Sequence, residues 1–142
     1  MAGPIEPYLK YGVTCEKVLQ EKDGVLSLIR IIDKFVLTIT GKEPPNELPP
    51  EVAPLTIVMG WAGGLGSHEA SFSITRPDGT TQKSPQTWSF HLDALHRGHS
   101  IILSVPVEVT KAGVYWIEFI LNGEVKGRTP FQVVYQRQQA QV

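Results

Sequence analysis

Apolar and polar residues alternate with a period of two along much of the chain, and the alternation runs longest near its end. Within residues 112–135, Tyr115, Ile117, Phe119 and Leu121 fall on one side of an extended segment, and Phe131, Val133 and Tyr135 repeat the pattern in the next. Asn122-Gly123 lies between the two and tolerates positive φ at both central positions of a type I′ turn, whose twist matches that of paired strands. The pattern predicts a hairpin, with Gly127 marking a bulge. A hairpin with one apolar face is not stable alone, so the remaining chain must bury it.

The same period recurs upstream. Residues 7–18 place Leu9, Tyr11, Val13 and Cys15 on one side of a half-buried strand. Asp23-Gly24 turns the chain into a β-branched run over 25–39, read as a hairpin partner that ends in a strand buried on both faces. Residues 18–22 contain good helix formers, but five residues do not nucleate a helix unaided. Asp33 interrupts the run, where its carboxylate reaches solvent or accepts backbone amides at a turn. Residues 41–54 carry five prolines, which remove amide donors and pin φ, so this stretch predicts a crossover loop over the surface.

Leu55, Ile57, Met59 and Trp61 share one side of the next strand, and Ala70, Phe72 and Ile74 share one side of another, which ends at Pro77-Asp78-Gly79. The glycines between them have neither a phosphate-loop lysine nor a dinucleotide fingerprint and read as a hairpin loop. Residues 80–85 read as a loose polar link. Trp88, Phe90 and Leu92 alternate with polar residues, and a polar loop leads to Ile101, Leu103, Val105, Val107 and Val109. Pro106 inside that strand predicts a sheet edge or a bulge. Residues 136–142 are polar and read as a frayed tail. About eight strands, no long helix and regular turn signals describe an all-β, antiparallel sandwich in a single domain over 1–142. An up-and-down barrel is the alternative, disfavoured by the long proline-rich connection.

Composition narrows function mainly by exclusion. Thirteen Lys and Arg against fourteen Asp and Glu leave a net charge of -1 with no basic run, unlike a phosphate-backbone binder. Nucleic acid is not an expected partner. Cys15 is the single cysteine, so no internal disulfide or thiolate zinc cluster can form. No apolar run approaches the roughly 20 residues of a membrane span, and the first residues lack a signal-peptide pattern. The expectation is a cytoplasmic protein without a membrane partner.

His68-Glu69, Pro77-Asp78-Gly79, Phe90-x-Leu92-x-x-Leu95, Pro106-x-x-Val109, Gly113-x-Tyr115, Asn122-Gly123 and Pro130-Phe131-x-Val133 together resemble a family of small bacterial proteins classed as a domain of unknown function. The resemblance implies an immunoglobulin-like sandwich and a bacterial, cytoplasmic source. It carries over no catalytic residue, and no cofactor is expected.

Two sites remain as candidates. His91, Asp93, His96 and His99 concentrate metal-capable groups, with His68 and Glu69 elsewhere in the chain, although their spacing matches no standard zinc pattern. No nucleophile elbow is present, and Cys15 reads as a small hydrophobe in its strand. Trp61 and Trp88 share the core register, which argues against a sugar platform. Trp116 does not: with Val114, Glu118 and Ile120 it lines the outer face of the final hairpin. That face is the expected contact surface of a protein-interaction module that self-associates as a homo-oligomer, and a metal-binding protein using the histidine loop is the alternative.

Overall fold

The computed structural model describes residues 3–40, 51–109 and 111–138. They form β1 (Tyr8–Gln20), β2 (Leu26–Ile31), β3 (Lys34–Thr40), β4 (Glu51–Ala62), β5 (Gly66–Thr75), β6 (Thr81–Lys83), β7 (Trp88–Leu92), β8 (Gly98–Val109), β9 (Gly113–Leu121) and β10 (Glu124–Gln138). One sheet has the order β2-β1-β4-β8, and the other has the order β3-β10-β9-β5-β6, with β7 also paired to β5. The protein is all-β, and no helix among the described residues is long and apolar enough to cross a membrane.

The inner faces of the two sheets meet in one apolar core. Ile57, Met59 and Trp61 of β4 lie in it with Leu103, Val105 and Val107 of β8, and Tyr115, Ile117, Phe119 and Leu121 of β9 come from the other sheet. Phe131 and Val133 of β10 are buried beside them, as the alternation predicts; the side chain of Tyr135 lies outside the described residues. The β9–β10 turn has Asn122 at φ 50° and Gly123 at φ 84°, the left-handed conformations a type I′ turn requires. The ladder slips by one residue between Val125 and Gly127, so the expected bulge is present.

Ten strands replace the expected eight for two reasons. The 25–39 run breaks at Ile32-Asp33: β2 stays beside β1, while β3 crosses to the second sheet and pairs parallel with β10. That sheet is therefore mixed, not antiparallel throughout. The Ile32 amide donates to Thr14, and the Asp33 carbonyl accepts from Gln132, so both backbones at the break are satisfied. The run does not end in a strand buried on both faces, because β2 and β3 are both edge strands, with Ile31 64% and Val36 43% exposed. The second addition is β6, a three-residue strand within the supposedly loose link, which shares the edge of β5 with β7.

In β1 the alternation changes phase. A bulge between Leu9 and Tyr11 turns Gly12 rather than Tyr11 inward, and one extra residue moves every later side chain to the opposite face. Tyr11, Val13 and Cys15 therefore lie on the outer side of the sheet, opposite Gly60, Val58 and Thr56 of β4. Cys15 is nonetheless buried, and desolvation pushes its thiol pKa up, as befits a small hydrophobe rather than a nucleophile. The tail expectation also changes, since Gln136, Arg137 and Gln138 continue the parallel ladder with β3; 139–142 lie outside the described residues. Of the proline-rich stretch, 51–54 belong to β4 and 41–50 lie outside the described residues. Their flanking strands β3 and β4 do sit in different sheets.

Gly12 marks a close approach between the sheets. A Cβ there would lie 2.4 Å from Phe119 Cε2, and Phe119 is itself enclosed in the core. Gly12→Ala is expected to destabilise the fold by about 1–3 kcal/mol through overpacking. Urea unfolding should show a lower midpoint with an unchanged slope.

Candidate functional site

β9 is the middle strand of the larger sheet, with β10 on one side and β5 on the other. Its inner residues are buried, so strict alternation sends Val114, Trp116, Glu118 and Ile120 to the outer face. The expected surface set is thus brought together on one strand. Val114 is 43% exposed, whereas Trp116, Glu118 and Ile120 are partly covered by cross-strand neighbours.

Those neighbours hold the face in a defined arrangement. Trp116 stands between Thr75 and Pro130, and the Arg128 guanidinium lies 4.2 Å from the centre of its ring. A cation over an indole face is attracted by the ring quadrupole, by about 0.5–1 kcal/mol at an exposed site. Arg128 is also the register partner of Glu118. From the other side, Thr75 Oγ1 donates to Glu118 Oε1 at 2.7 Å and the Ser73 hydroxyl donates to Oε2. Glu118 therefore has both carboxylate oxygens engaged, and Trp116 has one ring face covered. Neither side chain can sweep freely across the surface.

Arg128, Ser73 and Thr75 were not among the residues singled out from sequence. Their signal is the register. An unbroken ladder from the Asn122 turn would set Glu118 against Gly127, and the one-residue bulge delivers Arg128 instead.

The histidine cluster does not assemble. His91 faces outward on β7, where Nδ1 lies 3.0 Å from the Ser67 hydroxyl. Phe90 beside it faces inward, and His99, at the start of β8, stacks on Phe90 with ring centres 5.0 Å apart. The two histidines thus lie on opposite sides of β7. Asp93 pairs with Arg97 at 3.5 Å, and His96 is exposed in the intervening loop. His68 is buried on β5 with both nitrogens occupied: Nε2 donates to the Leu65 carbonyl and Nδ1 accepts from the Asn122 amide. Glu69 is exposed and its backbone, not its carboxylate, meets Asn122. Among the described residues no three His, Cys, Asp or Glu side chains are grouped to hold a metal ion.

No family model matches the chain, and no curated protein matches it significantly. Among solved structures, a crystal structure of β-glucosidase from Listeria innocua in complex with isofagomine is similar at 10% identity and a TM-score of 0.48. The match covers 92% of this chain and 16% of that one, a likeness too slight to carry an argument.

Partial desolvation lowers the pKa of His99 from its ordinary value of about 6.5. Above that value both folded and unfolded chains hold the ring neutral and it adds no pH dependence. As pH falls towards the folded value, the unfolded chain binds the proton first, and stability declines. His99→Phe keeps the stacking ring and should remove this part of the decline; urea unfolding of both proteins at pH 7.5 and 5.5 checks it.

Proposed function

We propose that this protein is a non-enzymatic protein-interaction module on an immunoglobulin-like sandwich, and that it self-associates through Val114, Trp116, Glu118 and Ile120. The fold part of the reading is supported by strand order. β1, β4 and β8 share one sheet and β5, β9 and β10 share the other, the division that an immunoglobulin-like domain makes between its A, B, E and its C, F, G strands. Tyr115 adds to this. Near the start of β9, its hydroxyl donates back to the Lys111 carbonyl at 2.7 Å, in the manner of a tyrosine corner.

The observation that carries the association is the Trp116–Arg128–Glu118 arrangement. Tryptophan and arginine are the residue types most often found to dominate binding energy, and side chains already ordered lose less entropy on docking. Opposite charges side by side on one face also suit a two-fold contact, in which Arg128 of each copy approaches Glu118 of the other. A homo-oligomer needs no second protein to satisfy this chemistry.

Native mass spectrometry and sedimentation velocity over a concentration series test it. Wild type should associate, and Trp116→Asp should raise the dissociation constant by roughly 30-fold or more, the equivalent of about 2 kcal/mol. An unchanged assembly in the folded variant would remove this face from consideration.

A further inference from the structure

We propose that the free edge of β8 between Ser100 and Ser104 captures an extended peptide as an added strand, with an apolar side chain of that peptide seated beside Trp88. β8 is the last strand of its sheet, and it pairs with β4 from Gly98 to Val109 without a register shift. Residues of an antiparallel strand alternate in the side to which both N–H and C=O point. The phase is set by Gln82, whose side-chain amide donates to the Pro106 carbonyl and accepts from the Glu108 amide, both on the side away from β4. Ser100, Ile102 and Ser104 share that phase and present their backbone groups to the same side. Among the described residues no backbone hydrogen bond reaches them from there.

The open stretch has defined ends. Towards the start of β8 the two sheets are bridged by the stack of His99 on Phe90. Towards its end, Pro106 has no N–H to offer, and Gln82 together with Arg76 occupies the backbone of 106–108. The five residues between span about 17 Å of strand. Beside them a cavity of about 350 Å³ opens between the sheets, with Phe72, Pro85, Trp88, Leu103 and Val105 as its apolar lining and one charge of each sign, Lys83 and Glu108, also on its wall.

Each feature points to the chemistry of the occupant. The Gln82 carboxamide is a peptide-like group already docked on this edge, one step beyond the open stretch. An added strand would continue the same hydrogen bonding, and its inward side chains would enter the apolar cavity, as in peptide recognition by strand addition. Exposed edges are commonly protected by charge or proline. Residues 98–105 have no Lys, Arg, Asp or Glu, so only the Pro106 end carries such protection. Of the two charges on the cavity wall, Glu108 is already paired with Arg76 at 2.9 Å, whereas Lys83 makes no ion pair among the described residues, which favours a peptide with an acidic residue next to its apolar one. A second copy's β8 matches less well, because its inward Ile101, Leu103 and Val105 are already buried in its own core.

The test uses the full chain and a capped octapeptide of alternating threonine and leucine that ends in aspartate. A control peptide has the same sequence with its edge-facing amides N-methylated. Binding is measured by calorimetry, and amide exchange of Ile102 and Ser104 by NMR. The first peptide should bind and slow exchange at both amides at least tenfold, and the methylated peptide should do neither. Ser104→Pro removes an edge donor outside the β4 ladder and should weaken binding at least tenfold without loss of the fold. Absence of protection, or equal binding of the two peptides, would overturn the proposal. So would a dimer in the unliganded protein that Ser104→Pro abolishes, since that would assign the edge to a second copy.

Discussion

The burial of the inner face of β9 is the constraint on which the rest of the structure depends. Tyr115, Ile117, Phe119 and Leu121 are all removed from solvent, and that requires a complete second sheet opposite them and a paired strand on each side. Phe119 sets how close that sheet must come, since Gly12 of β1 leaves room for its ring. The turn after Leu121 is held by a polar link rather than an apolar one. Asn122 accepts from the Glu69 amide through its side chain, donates to Glu69 through its backbone and donates to buried His68. A buried polar group of this kind is tolerated because each partner is satisfied, and it ties the β9–β10 turn to β5.

Much of this was legible in the alternation. The inward rows of β4, β5, β7, β8 and β9 were readable because each strand holds one phase over its buried length and its inner residues there, apart from His68 and His99, are apolar. The Asn122-Gly123 turn and the Gly127 bulge were readable because positive φ restricts the residue choice. The errors arose where tertiary structure overrides a local pattern. Tyr11, Val13 and Cys15 are apolar enough for either face, so nothing local announces the bulge after Leu9 that turns them outward. The run from Val25 to Ile39 reads as one strand because β2 and β3 differ in sheet partner rather than in composition. The histidines failed for a geometric reason: closeness in sequence over 91–99 spans a strand, a loop and the start of another strand, which point their side chains to different sides.

The two proposed surfaces follow from where a strand sits in its sheet. β9 lies in the interior of its sheet, with its backbone paired on both sides from Trp116 to Leu121, so contacts over that stretch fall to its outward side chains. Recognition there must come from Trp116, Arg128 and Glu118, through shape, stacking and charge. β8 lies at an edge, so among the described residues its outer backbone groups between Ser100 and Ser104 have no partner, and its outward side chains there are mostly small. Recognition there must come from amide geometry, with selectivity left to the cavity beside Trp88.

Protection of the β8 edge is graded along its length, and the gradation itself carries information. A sandwich that needed only to avoid edge-to-edge pairing would gain from a proline or a charge at the centre of the strand, where an intruding chain makes most of its contacts. Here Pro106 and the Gln82 and Arg76 hydrogen bonds are confined to one end, and among the described residues nothing takes up the outer donors and acceptors of the central residues. Pro106 also faces Pro54 of β4 at a position whose amide phase points away from the ladder, so the missing N–H removes nothing from the fold. The same holds for Ile102 and Ser104, where proline would also leave the β4 ladder intact. The fold permits a closed edge at these positions, and the sequence keeps it open beside an apolar cavity.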